Sequence, residues 1–240
     1  QKMLELAGEP ADKAAADAKT ALAIETALAT AQVDNVTRRD PKSMKAYLEL
    51  HIEQGPILEA KAKRIGLVTS IAAPSRFKVI FTGQADHSGT TPMEMRKDAL
   101  VAAAQLIEYV EKICRKFSSM EKGRVVGTVG AMKIEPGVIN AVPGRAELSI
   151  DIRSTSAPAK DKVARLVKQR GAAIARDRGI AIEVLNIRAE EPVPLDKSLL
   201  RITRQLCDEK AIDYEIMPSG AGHDAMQMAK ITPAGMIFIP

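Results

Sequence analysis

The stretch Arg145-Ala146-Glu147-Leu148-Ser149-Ile150-Asp151-Ile152-Arg153 alternates between apolar and polar side chains along its whole length. Ala146, Leu148, Ile150 and Ile152 fall on one side, and Glu147, Ser149, Asp151 and Arg153 on the other. A period of two predicts a β-strand with one face in a core and one face carrying charge. A sheet built from such strands needs cover on one face only, and the flanking sequence offers it. Residues 93–117 read as a helix with Ala99, Ala102, Ala103, Leu106, Ile107 and Val110 on one side. Pro158 opens a second helix to about residue 178, because proline fits a first helical turn.

Further outward, Phe77-Lys78-Val79-Ile80-Phe81-Thr82 also alternates like a strand. Residues 124–134 form another, with glycines that imply bulging or close backbone approach. Residues 180–187 form the last. The order β-α-β-β-α-β over 75–189 is that of a ferredoxin-like unit. Before it, 46–60 reads as a helix, or as a strand passing into a helix at Gly55-Pro56, and 66–72 reads as a buried strand. After it come a proline-punctuated link at 190–194, a helix at 198–210, a short strand at 214–217 and a buried strand at 236–239. The expected class is α/β (α+β), with the ferredoxin-like unit inserted between two pieces of another α/β layer, 46–74 and 190–240. Residues 1–45 form a helical opening segment. Its Ala-rich run 11–32 places Ala21, Ile24, Leu28 and Ala31 at helical spacing, and Arg39-Asp40-Pro41 breaks it.

A chain of 240 residues suits one large or two small domains. Its 46% apolar and 27% charged content is ordinary for a globular protein. The net charge is +5, basic residues are scattered among acids, and aromatics make up 3%. That composition gives no basic stripe with stacking rings, so no nucleic-acid partner is expected. No run approaches the roughly 18 apolar residues of a membrane span, and the start has no signal-peptide pattern. Cys114 and Cys207 are far apart and form no CxxC pair, which points to a reducing, cytoplasmic setting.

Four segments carry groups capable of chemistry. The first is Leu48-Glu49-Leu50-His51-Ile52-Glu53-Gln54-Gly55-Pro56-Ile57-Leu58-Glu59, which holds one of only three histidines. Imidazole is the commonest ligand for zinc-like metals, although a single histidine also fits a structural role. The second, 83–93, sets His87 between a strand and a helix among small and hydroxyl residues, either as a presented functional group or as a turn residue. The third, 137–144 running on to Arg153, offers Asn140 and Arg153. An amide and a guanidinium there could bind a carboxylate; the bland alternative is a turn asparagine and a surface arginine. The fourth is Ser219-Gly220-Ala221-Gly222-His223-Asp224-Ala225, whose glycines permit close backbone approach to a ligand, or which is an ordinary loop.

Taken together and in this order, the segments resemble the dinuclear-metal amidohydrolases that include N-carbamoyl-L-amino-acid hydrolases, beta-ureidopropionases and allantoate amidohydrolases, over about 46–240. The resemblance implies that 75–189 is a lid or dimerisation domain, and that 46–74 and 190–240 are parts of an aminopeptidase-like catalytic domain. It implies metal-dependent hydrolysis of a linear amide or ureido C–N bond in a small carboxylate, such as an N-carbamoyl amino acid or ureido acid. His51 inherits a metal-ligand role, the metal being zinc, manganese or cobalt. His87 inherits a catalytic hydrogen bond to the substrate carbonyl and its oxyanion. Gln54, Asn140, Arg153, Gly222 and His223 fall at substrate-binding positions, His223 without a direct ligand role. Glu53 and Glu59 read as structural or solvated. A homodimer through 75–189 is implied. A second resemblance, of the run from Ala16 to Lys42, is to a helical segment of neprilysin-like zinc endopeptidases, with a splice near 42–46.

The departures are as informative. The family's His-x-Asp, bridging aspartate and paired glutamates have no counterpart, and all three histidines are already placed. The expectation is therefore a chain missing the front of its catalytic domain, holding no metal stably and inactive alone. Two rival expectations stand beside the enzyme: a non-catalytic lid or dimerisation module, and a fusion fragment with no evolved activity.

Overall fold

The computed structural model describes residue 40 and residues 43–120 and 124–240. The helix expected over 11–32 lies outside them. The alternating stretch forms β7 (Arg145–Ser154), and its apolar positions are buried at every second residue. It pairs antiparallel with β3 (Ala73–Thr82) on one side and β5 (Val126–Glu135) on the other. With β8 (Ala181–Ala189) they make a four-stranded sheet in the order β5-β7-β3-β8. Two helices, α2 (Ala99–Met120) and α3 (Ala157–Asp177), cover one face. Phe77, Val79 and Phe81 of β3 and Leu148, Ile150 and Ile152 of β7 meet Leu106, Val110, Val163 and Val167 in a continuous core. Alanines and Gly171 let the helices sit close: a Cβ on Gly171 would come within 3.0 Å of Ile182.

Two boundaries differ from expectation by four residues or more. Helix α2 begins at Ala99 rather than 93, because Pro92–Met95 closes a separate 3₁₀ turn and the Asp98 carboxylate then accepts hydrogen bonds from Leu100 N and Val101 N. Strand β3 begins at Ala73 rather than 77, since its register with β7 continues from Thr82↔Arg145 to Ala73↔Ser154. The start of α3 follows the sequence signals: Ser156 caps it, accepting from Ala159 N, with proline in the first turn.

The second sheet has its own core. Of the alternatives for 46–60, the chain takes a strand passing into a helix: β1 (Tyr47–Ile52), then α1 (Ile57–Ala60). β1 runs parallel to β11 (Ala234–Ile239), which pairs antiparallel with β2 (Ile65–Ile71), and β2 runs parallel to β10 (Tyr214–Ser219). A short β9 (Val193–Pro194) adds to β2. Leu58, Val68, Ile71, Met217, Met226 and Phe238 pack together here, with α4 (Lys197–Glu209) and α5 (Ala225–Met228) alongside. The chain crosses between the sheets at Ala72 and returns after Ala189. At the return, the buried Lys160 ammonium donates to the Glu190 carbonyl. A two-stranded ribbon, β4 (Asp86–His87) with β6 (Ala141–Val142), projects beyond Thr82 and Arg145. No helix among the described residues is long and apolar enough to cross a membrane.

The turn after β3 gives a direct test. A Cβ on Gly83 would lie 1.8 Å from the Lys97 carbonyl oxygen, whereas one on Gly130, at the β5 irregularity, meets nothing within 4 Å. Gly83→Ala is expected to lose about 1–3 kcal/mol or more, and Gly130→Ala to stay within about 1 kcal/mol of the parent. Urea unfolding of both variants measures this; equal midpoints would contradict the fold around residue 83.

Candidate metal centre and adjoining cavity

The outer face of β1 carries Leu48, Leu50 and Ile52, each more than half exposed, so the period of two turns Tyr47, Glu49 and His51 inward. The β10–α5 loop meets them with His223, whose side chain is 1% exposed. Glu49, His51 and His223 can each offer a ligand atom, all within 4.8 Å of one another. The imidazoles of His51 and His223 stand edge to face at 4.7 Å, and the ring of His223 also packs 5.6 Å from Phe238.

Each of the three is anchored by its other polar atom. His51 Nδ1 lies 2.8 Å from the Ile52 carbonyl, so Nδ1 carries the proton and Nε2 keeps its lone pair. Glu49 Oε2 accepts from Ala225 N at 2.7 Å and from the Tyr47 hydroxyl at 3.3 Å, leaving Oε1 facing His223 Nδ1 at 3.7 Å. His223 Nε2 sits 2.7 Å from Ser219 Oγ, which is also 3.2 Å from the Ala221 carbonyl. With the hydroxyl proton on that carbonyl, Ser219 accepts from Nε2–H, and Nδ1 presents a lone pair to the cluster. Burial, followed by the neighbouring His51, lowers the His223 pKa against the opposing pull of Glu49 and Asp224, so its imidazole is neutral near pH 7. Two imidazoles and one carboxylate, each held from behind, are a donor set that suits a zinc-like divalent ion.

Glu53 does other work. Its carboxylate accepts from Ile57 N at 2.9 Å and Leu58 N at 2.7 Å, closing the start of α1. Beyond it lies a cavity of about 410 Å³ whose wall includes Gln54, Arg124, Arg153, Ser219, Gly220 and Phe238. Gln54 occupies a left-handed backbone position, φ 55°. Ser219 and Phe238 are shared with the surroundings of His223, so the cavity adjoins the cluster. Arg153 holds Asp151 through Nε and Nη2, at 3.2 and 2.9 Å, and reaches across to the Gly220 carbonyl through Nη1 at 3.0 Å. Burial alone would raise the Asp151 pKa, but hydrogen bonds from Arg153 and Arg76 outweigh it and hold the carboxyl below its ordinary range.

The expected site residues thus fall into two places. His51, Gln54, Arg153, Gly222 and His223 lie at or beside the cluster and cavity. His87 and Asn140 do not. His87 pairs with Ala141, and the Asn140 carbonyl accepts from Ser88 N, on the ribbon beyond the Arg145 end of β7. Arg153 is at the other end of that strand, eight residues away, on the order of 25 Å at strand rise. Within one chain an extended strand therefore holds His87 and Asn140 apart from Arg153. Of the trio, the sequence pointed to His51 alone as a ligand; Glu49 and His223, not expected in that role, stand beside it as further candidates. The signal for Glu49 was its i, i+2 spacing from His51 on a strand. Nothing local in the sequence announces that His223 folds back onto it.

The family model for peptidase family M20/M25/M40 matches residues 23–240. The chain belongs to this family. It is 44% identical over 207 residues to an uncharacterized hydrolase of Haemophilus influenzae, a match covering 86% of this chain and 49% of that protein. It is 40% identical over 201 residues to an N-carbamoyl-L-amino-acid amidohydrolase of a Pseudomonas species, covering 84% and 48%. The crystal structure of an amidase of the hydantoinase/carbamoylase family from Burkholderia multivorans superposes with a TM-score of 0.78 at 34% identity, covering 82% of this chain and 47% of that one. The chain spans about half the length of the relatives it matches. The family match begins inside the stretch that resembled neprilysin-like enzymes, and nothing in the comparisons supports that second resemblance.

The Asp151 pairing predicts a pH effect of definite sign. A carboxyl depressed on folding stabilises above its unfolded pKa, about 3.9, and the gain is lost as pH falls through the folded value. Asp151→Asn should therefore be less stable than the parent at pH 7, and the gap should close below about pH 4. Urea midpoints across that range check this; a gap that persists at low pH would show the carboxylate charge to be irrelevant.

Proposed function

We propose that this chain carries the ligand-bearing and lid portions of a metal-dependent hydrolase acting on ureido C–N bonds of small carboxylic acids. The sheet of β3, β5, β7 and β8 with its two helices is read as a ferredoxin-like lid, and the sheet of β1, β11, β2 and β10 as part of the catalytic layer. The observation that carries the reading is the trio Glu49, His51 and His223, each with one polar atom tied back and one left free toward the other two. Its relatedness to an N-carbamoyl-L-amino-acid amidohydrolase supports the substrate class.

His51 Nε2, His223 Nδ1 and Glu49 Oε1 would hold the ion. When bound, a divalent ion supplies Lewis acidity toward a ureido carbonyl and acidifies a water. Arg153 binds the substrate carboxylate. Of its five N–H donors, two serve Asp151 and one serves Gly220, so two remain. Gln54 lies on the same wall to meet the polar part of the substrate. His87 and Asn140 act from the ribbon of a second copy. That assignment is supported by their joint placement away from Arg153, beside the fully exposed Ile139 and the exposed Met93. In that arrangement His87 donates to the developing oxyanion, and the dimer joins through 75–189.

A general base is not available from the cluster itself. Its one carboxylate, Glu49, is held by Ala225 and Tyr47, and both Glu53 oxygens accept helix N–H groups. Base catalysis is worth roughly 10²–10⁴ in rate, so this chain alone is expected to release no ammonia from N-carbamoyl amino acids above a His51→Ala control. Turnover above that control would require a base elsewhere in the chain.

The metal reading has its own test. Cobalt(II) titration followed by visible absorption should give one site per chain. His51→Ala should abolish it, and Ser219→Ala, which removes the acceptor behind His223, should weaken it about 10–100-fold. The rival reading, a non-catalytic lid module, predicts no stoichiometric uptake.

A further inference from the structure

The cavity beside the metal centre has a second cation that the carboxylate reading does not use. Arg124 lies on its wall together with Arg153. Val126, the first residue of β5, pairs with Arg153 of β7, and Arg124 enters the same wall from two residues before that strand. Among the described residues Arg124 has no hydrogen-bond or ion-pair partner. An arginine left unpaired on a cavity wall presents all five donors to whatever enters.

The charge balance of the wall points the same way. Among the described residues Glu53 is the one carboxylate lining the cavity, and its oxygens close the first turn of α1 rather than facing an arginine. Asp151 is shared by Arg76 and Arg153, so that trio keeps one net positive charge. Arg124 adds a second. A cavity of about 410 Å³ has room for a small acid; besides the charged groups its wall offers the neutral polar side chains Gln54, Thr155 and Ser219 and the apolar Ile57, Val126, Met217 and Phe238. Among the described lining residues the two guanidiniums are the cationic groups, so they are the strongest partners for a carboxylate there.

The geometry points to Arg124 as a specificity determinant: the site takes a ureido acid bearing a second carboxylate, one carboxylate on Arg153 and the other on Arg124. This rests on the reading of Arg153 given above and adds the substrate class. Arginine suits both positions because its planar fork pairs with carboxylates in a fixed orientation. Arg124 is exposed and bonds to none of the described residues, so replacing it leaves the fold intact.

Isothermal titration with N-carbamoyl-L-aspartate and N-carbamoyl-L-alanine tests this on the protein and three variants. The parent should bind the dicarboxylate at least about tenfold more tightly. Arg124→Gln should bring the two affinities within about threefold by weakening only the dicarboxylate, and Arg124→Lys should restore part of the preference. Arg153→Leu should lose both ligands. A parent with no preference, or a preference that survives Arg124→Gln while Arg153→Leu abolishes binding, overturns the role of Arg124 alone. Unchanged affinities in Arg153→Leu overturn the carboxylate reading on which it rests. Absence of binding by either acid at about 10 mM, a free energy weaker than about −3 kcal/mol, overturns both.

Discussion

The parallel pairing of β1 with β11 is the constraint on which the candidate centre depends. It sets His51 opposite Phe238 and Glu49 opposite Met236, and because strand side chains alternate, it fixes which residues of the edge strand look inward. A slip of one residue would expose Glu49 and His51 and bury Leu48, Leu50 and Ile52. Loop closure by Ser219, Ala221 and Ala225 then brings His223 to a position already prepared. The centre is thus made by one strand register and one glycine-containing turn, and every polar atom in it that does not face the cluster has a partner.

The two sheets play different physical parts. The sheet around β7 is stabilised by a continuous apolar core under two long helices, and its opposite face is a ladder of paired charges. Arg153 stands at the end of that ladder and reaches the Gly220 carbonyl, so the same guanidinium that ends one sheet touches the loop that carries His223. The ribbon bearing His87 and Asn140 hangs from the far end. A single copy cannot bring both ends of a ten-residue strand to one ligand, which is why a second copy enters the functional proposal.

Much of this was legible in the sequence, and the reasons are local. The alternation in 145–153, the proline at the start of α3 and the Gly55-Pro56 breaker each report a short-range preference that the fold keeps. The start of α2 was misread because Met93 and Met95 continue an apolar pattern that Pro92 and the Asp98 cap interrupt. In the site, motif resemblance located His51, Gln54, Arg153 and the loop 219–225, all beside the cavity. It could not say that His223 would meet Glu49, a contact across 174 positions that depends on sheet order, nor that Asn140 and Arg153, only thirteen positions apart, would be held at opposite ends of an extended strand.

The central claim is that His51 and His223 are held as opposite tautomers by the groups behind them, each turning its other nitrogen toward Glu49. Long-range proton–nitrogen correlation NMR of the metal-free protein reads this directly, since only three histidines contribute signals. The account predicts a proton on Nδ1 of His51 and on Nε2 of His223 near pH 7. On addition of zinc, the Nε2 signal of His51 and the Nδ1 signal of His223 should shift together while those of His87 stay in place. A proton on the inward nitrogen of either histidine, or a His223 signal indifferent to zinc, would contradict it.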